Sequence, residues 1–211
     1  MTLFPPIYQT SQGTPRDLGS LLSMKSQGFG ENVAYYRLNF GTEGHAGLDL
    51  PCNIGTPLYA SHNGAVKSIS LDPQRGMGVL LSCPEGLTLY WHLSQVDVIM
   101  GQVVKVGQKL GLSGNTGKST GAHLHFEWRP NPLQVNNGFS GAADPVPSMV
   151  WQPLPVSDET MTKTVVDLLY EILEIGDLDG SGRAYWIGKP IQSFLKEFAK
   201  NKGNKLITLS Q

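Results

Sequence analysis

The residues of this 211-residue chain whose types could do chemistry are four histidines and one aspartate. His45 stands in GHAGLD, His92 in YWHLS, and His123 with His125 in HLHFE; Asp49 comes four residues after His45. A neutral imidazole from His45, a carboxylate from Asp49 and a second imidazole are the donors of a catalytic zinc site, which takes three protein ligands and leaves one position open. Residue types alone leave that second imidazole open between His123 and His125. A fully extended chain from His45 to Asp49 would hold the two side chains roughly 13 Å apart. The chain must therefore bend between them, and Gly47 is the residue that permits it. His62, beside Asn63-Gly64, reads as a structural histidine at a turn.

Two other chemistries share parts of this pattern. Two histidines and a carboxylate also describe the facial triad of non-haem iron oxygenases. The step from His45 to Asp49 is longer than the usual gap in such a triad, and His92 and His123 would stay unused. The stretch GLSGNTGKSTGAHLHFE, residues 111–127, contains the Gly-Lys-Ser that closes a phosphate-binding loop. The first glycine of such a loop would have to stand where Leu112 is. Beyond Lys118 the residues do not read as a helix but alternate, with His123, His125 and Glu127 on one side and Leu124, Phe126 and Trp128 on the other. The segment reads as a glycine-rich turn entering a strand.

The elements that must position these side chains are mostly strands. Thr56–Ser61 and Ala65–Leu71 flank Asn63-Gly64, the sequence of a type I′ hairpin turn. A second hairpin runs from Val79–Cys83 through Pro84-Glu85-Gly86 to Leu87–Leu93, and short strands near Val103–Val106 and Lys109–Leu112 precede the histidine strand. From Asn32 to about Arg129 the chain reads as strands. The predicted fold is mainly β, an antiparallel β-sandwich or open barrel-like domain. Residues 1–30 read as a polar, turn-rich lead-in, 31–143 as the β domain and 144–156 as a Pro-rich linker. Residues 157–211 read as a small two-helix C-terminal extension, because Met161, Val165, Leu168, Leu169, Ile172 and Leu173 recur at helical spacing and Ile191, Phe194, Leu195 and Phe198 do so again. Between these helices, DLDGSGRAYWIG (Asp177–Gly188) is similar to a calcium loop, but Gly188 stands where a bidentate glutamate belongs, so an ordinary polar turn is expected.

Composition narrows the function classes. A net charge of −1 with no basic stripe provides no footprint for nucleic acid. The opening MTLFPPIYQT lacks a charged n-region and an apolar run, and no stretch reaches the length of a membrane span, so neither an export signal nor a span is expected. Cys52 and Cys83 are the only thiols, too few for a disulfide framework, and are expected to be free.

GHAGLDL, GTPLYASHNGAV, LYWHLS and VVKVGQKLGLSGNTGKSTGAHLHFE occur in the order seen in the lysostaphin and LytM type of peptidoglycan zinc endopeptidases. The chain resembles that family from about Gln27 to Arg129. The resemblance implies that His45, Asp49 and His125 are the zinc ligands and that His92 and His123 are the catalytic pair. It places SGNTGKSTG as the family's glycine-rich loop before the HLH strand, with no phosphate role for Lys118. The implied activity is hydrolysis of peptide bonds in peptidoglycan stems or cross-bridges, in a groove walled by Gly41–Gly44, Asp72–Gly78 and Pro130–Gly141. The expected partner is a peptidoglycan peptide. Action on the wall without an export signal implies release by lysis, a separate export route or carriage on a phage particle, as for an endolysin or virion-associated lysin. Relatives that have lost zinc ligands serve as wall-binding or activator modules; all five positions are present here, which favours a catalyst.

Overall fold

The structure is a computed structural model that describes residues 1–151. The predicted helical extension, the Asp177–Gly188 loop and the linker after Trp151 lie outside the described residues. Two α-helices, α1 (Leu18–Ser23) and α2 (Val33–Phe40), precede eight strands: β1 (Leu48–Pro51), β2 (Pro57–Tyr59), β3 (Gly64–Asp72), β4 (Gly76–Cys83), β5 (Gly86–Val96), β6 (Val103–Val104), β7 (Lys109–Ser113) and β8 (His123–Pro130). The strands pair antiparallel in one open sheet of order β1-β8-β5-β4-β3-β6, to which β2 is joined through β7 and β7 through β5. The mainly β, unclosed architecture expected from the alternating pattern is what forms.

The sheet is organised around β5, whose 11 residues pair with three strands. Gly86–Trp91 pairs with β8, most of the strand to Leu93 pairs with β4, and Leu93–Val96 crosses to β7. That change of partner requires a bend, and His92 makes it with a left-handed φ of 67°. One face of β8 supplies Leu124, Phe126 and Trp128 to the core, where Phe126 meets Tyr90 of β5 at 5.3 Å between ring centres. The alternation leaves His123, His125 and Glu127 on the opposite face. Cys52 is buried, Cys83 is half-buried, and both are free.

Three local readings change. Asn63-Gly64 does not close a hairpin, because β2 pairs with β7 while β3 pairs with β4 and β6. Neither residue adopts the positive φ that a type I′ turn requires. The segment after Asn32 is a helix rather than a strand, bounded by Asn32 and Gly41 in left-handed conformations (φ 55° and 68°). Its apolar residues point all round, and none is buried, so no helical stripe existed to be read. The first thirty residues, expected to be a lead-in, place Leu3, Ile7 and Leu21 at full burial in the core. Leu3 also bonds through its backbone to Ser148 and Val150, so residues 144–151 pack with the same unit, and Met149 joins the core.

A fully buried leucine that is part of one cooperative core costs about 2–5 kcal/mol when cut to alanine. Leu3→Ala is therefore expected to lower unfolding stability by that amount in urea titration. A change near zero would mean that the N-terminal segment is separable from the domain.

Candidate metal centre and active site

Asp49 and His125 are directly opposed across the β1–β8 ladder, which puts their side chains on the same face. His125 Nδ1 lies 2.8 Å from Asp49 Oδ1. His45, just before β1, brings its Nε2 to 3.1 Å from the same carboxylate oxygen and to 2.9 Å from His125 Nδ1. The bend inferred between His45 and Asp49 exists, but the role of Gly47 is different from the one expected. Gly47 has no left-handed φ; a Cβ there would meet the Phe126 carbonyl oxygen at 2.5 Å and the His125 ring at 3.0 Å. It is the missing side chain that lets β8 and the His125 ring approach.

The three donor atoms form a triangle with sides of 2.8, 2.9 and 3.1 Å. Ligand atoms about 2.0–2.1 Å from a tetrahedral zinc stand about 3.3 Å apart, so a small outward relaxation admits the ion. Two imidazoles and one carboxylate are zinc donors, and three protein ligands leave a fourth direction free. The residues fit the metal.

His92 and His123 face this triad without belonging to it. Their rings are 4.6 Å apart, and His123 Nε2 is 3.6 Å from Asp49 Oδ1. Both are held from behind by the glycine-rich loop. His92 Nδ1 donates to the Thr116 carbonyl at 2.7 Å, and His123 Nδ1 contacts the Gly121 carbonyl at 2.8 Å. Each ring therefore turns Nε2 toward the centre. Burial, with smaller repulsion from His123 and His125, pushes His92 down to about 4, so it is neutral at pH 7. His62 takes no part; it is buried against the Asn63 carbonyl and the Thr88 hydroxyl.

Behind His125 stands Glu127, a fully buried carboxylate. Its Oε1 is 3.2 Å from His125 Nε2, and its Oε2 accepts from Arg129 Nε and Nη2 at 2.8 and 2.6 Å. Burial opposes the charge on Glu127, but the hydrogen bond from His125 and the nearby guanidiniums hold its carboxyl down at about 2. For His125 burial again opposes charge, and the bonds to Asp49 and Glu127 outweigh it, raising the imidazole to about 9. A buried carboxylate on the outer nitrogen fixes the orientation of a ligating imidazole. The alternation in HLHFE was the signal for Glu127; Thr116 and Gly121 act through backbone carbonyls, which residue type does not reveal.

The open pocket beside the histidines is lined by Tyr35, Tyr36, Phe40, Thr42, Gln74, Arg75 and Lys118 among others. Thr42 and Gln74-Arg75 come from two of the three predicted walls. Residues 130–141 do not line it, and α2 supplies the remaining wall. The ring of Tyr36 lies 5.3 Å from that of His45. Burial and the Asp49 charge raise its hydroxyl well above the ordinary tyrosine value.

The family model of peptidase family M23 matches residues 43–137, the span that holds His45, Asp49, His92, His123 and His125. The catalytic domain of the antimicrobial peptidase lysostaphin from Staphylococcus simulans is similar in structure, with 33% identity and a TM-score of 0.50 over 63% of this chain and 97% of that domain. The chain belongs to peptidase family M23. Peptidoglycan DD-endopeptidase ShyA from Vibrio cholerae is 45% identical to this M23 chain over 106 residues, 49% of the chain and 25% of ShyA. Lysostaphin of S. simulans is 35% identical over 128 residues, 58% of the chain and 24% of lysostaphin. The chain thus spans about a quarter of these relatives. Membership in M23 sets aside the iron-oxygenase alternative.

The bend and the charges of this M23 domain each lead to a measurement. A non-glycine residue in left-handed conformation is strained by about 1–2 kcal/mol, against about 0.5–1 kcal/mol of extra chain entropy that glycine loses on folding. His92→Gly is therefore expected to be more stable than His92→Ala by about 0.5–1 kcal/mol in urea; the reverse order would mean that the bend is unstrained. The charges bear on metal entry. Metal-free His125 is charged below about 9, whereas a ligand imidazole must be neutral. Zinc uptake at pH 7.5 is expected to release about one proton, with affinity rising as pH rises toward 9. Calorimetry in buffers of different ionisation heats measures this, and no proton release would contradict the charge assigned to His125.

Proposed function

We propose that this chain is a zinc-dependent endopeptidase that hydrolyses peptide bonds in the stems or cross-bridges of peptidoglycan. The observation that carries this reading is the separation of four histidines into two sets around one carboxylate. His45 Nε2 and His125 Nδ1 close on Asp49, while His92 and His123 turn inward beside them without joining the triangle. A non-catalytic binding module has no use for two imidazoles held at a metal site by a dedicated loop.

His45, Asp49 and His125 would hold the zinc. When bound, the ion would supply Lewis acidity, lowering the pKa of water toward about 7 and polarising a peptide carbonyl. The remaining chemistry belongs to side chains of the chain itself. The Nε2 atoms of His92 and His123 are placed to take the proton of the attacking water and to return one to the leaving amine. The Thr116 and Gly121 carbonyls keep Nδ1 of each ring engaged, so the proton traffic runs through Nε2. Glu127 and Arg129 hold His125 in orientation. The peptide would lie in the pocket walled by α2, the Asp72–Gly76 turn and Lys118.

The substrate class is supported by family membership and by relatives named peptidoglycan DD-endopeptidases. Such a substrate lies outside the cytoplasm. Among the described residues no helix is long and apolar enough to cross a membrane.

Zinc content and cleavage of a peptidoglycan stem peptide, measured on folded variants beside the parent, test the assignment. His125→Ala should lose zinc and activity together, because one of three protein ligands is gone. His123→Ala should keep zinc and lose about a hundredfold or more in turnover. Metal loss in His123→Ala with retention in His125→Ala would reverse the assignment, and full activity in both would place the site elsewhere.

A further inference from the structure

The pocket beside the histidines is basic, although the whole chain carries a net charge of −1. Arg75 and Lys118 line it together with His92 and His125, and Glu127 is the only acidic residue of that lining. Glu127 does not neutralise them. Its two oxygens are already taken by Arg129, at 2.8 and 2.6 Å, and by His125, at 3.2 Å, while Arg75 stands 3.7 Å away with its side chain 43% exposed. One carboxylate thus faces two guanidiniums. Lys118 is exposed, and among the described residues its ammonium makes no ion pair or hydrogen bond. A guanidinium only partly balanced and an ammonium without a partner among the described residues line the site.

The two loops that carry these residues pack closely together. The Arg75 guanidinium lies over the Trp91 ring, 5.7 Å from its centre. The Arg75 carbonyl accepts the His92 N–H at 3.1 Å, and the Lys118 N–H donates to the Gln74 carbonyl at 2.7 Å. The two loops interlock: a Cβ on Gly117 would strike Gly76 N at 2.3 Å, and one on Gly76 would strike the Thr116 backbone at 2.4 Å. Both cations therefore belong to the same local backbone as His92. Cations beside a reacting centre that are at most partly balanced select a ligand of opposite charge and disfavour a neutral one through the water they must surrender. Arginine in particular matches the planar fork of a carboxylate.

We infer that Arg75 and Lys118 form a carboxylate-binding subsite, so that the preferred substrate carries a free carboxylate close to the scissile bond. This rests on the peptidase reading above. It divides wall peptides into two classes, those with an ionised carboxylate flanking the cut and those in which that group is amidated or missing.

The test uses two cross-linked stem peptides identical except that the carboxylate flanking the scissile bond is a carboxamide in one. The zinc-loaded parent is expected to favour the acid about fivefold, mainly through KM, as for a partly exposed ion pair. Raising salt from about 50 to about 300 mM should shrink the preference, because screening shortens the reach of the charges. Lys118→Gln should reduce the preference for the acid over the carboxamide, and Lys118→Glu should abolish or invert it. Equal cleavage of the two peptides by the parent, or a preference that survives Lys118→Glu, overturns the subsite while leaving the peptidase intact. Calorimetric binding of both peptides separates the two ideas: a parent that binds the acid more tightly yet cleaves neither retains the subsite and loses the peptidase, and one that neither cleaves nor discriminates loses both.

Discussion

The site depends on one buried negative charge. Asp49 is nearly removed from water, and burial alone would push its carboxyl upward; hydrogen bonds from His125 and His45 overcome that and hold it far below the usual carboxylate range. A buried charge without partners costs several kcal/mol, so two imidazoles must stand within hydrogen-bond distance of one oxygen. The consequence propagates outward. His125 becomes positive against Asp49, Glu127 is buried to balance His125, and Arg129 is bound to Glu127. Charges alternate from the centre to the surface. The same arrangement that settles Asp49 in the metal-free protein gathers the donors a zinc ion needs.

A second constraint separates ligands from proton carriers. All four imidazoles sit within one small volume, and each is anchored on its outer side. His45 contacts the Gly28 carbonyl, His92 that of Thr116 and His123 that of Gly121, each through Nδ1; His125 alone is reversed and uses Nε2 toward Glu127. The anchors decide which nitrogen faces inward. The loop between β7 and β8 supplies two of these carbonyls, which is the work of a segment whose letters resemble a phosphate-binding loop. The N-terminal residues supply the third, so the segment before the matched family span takes part in building the centre.

Position also requires a bend. β5 can serve β8, β4 and β7 only by turning at His92, and that residue adopts a conformation ordinarily left to glycine. Strain of this kind persists where surrounding structure enforces it and where the side chain is needed. Here the turn places the imidazole over the histidines of β8 while Tyr90 and Leu93, on either side, stay in the core. Packing of the neighbouring strands stabilises the bend.

Much of this was legible in the chain. HLHFE placed two histidines and Glu127 on one face of a strand because strand side chains alternate, whatever the rest of the protein does. The open antiparallel architecture came from short apolar alternations separated by turns, and the ordered blocks of residues pointed to the family. Partners far apart in sequence were not legible. Asn63-Gly64 had the local chemistry of a hairpin, yet β2 gains a partner in β7, since sheet pairing is decided by which edges and faces can be buried together. The α2 wall had no periodic stripe, and Leu3 and Ile7 stood in a stretch whose polarity hid them. Gly47 could be recognised as permissive, but only the approach of β8 shows that space for His125 is what it provides. Residue type and spacing determined the donors and the strand that carries them. Which nitrogen faces inward and how far each cation is balanced were decided by backbone carbonyls and charges from distant segments, which become neighbours only when the sheet is assembled.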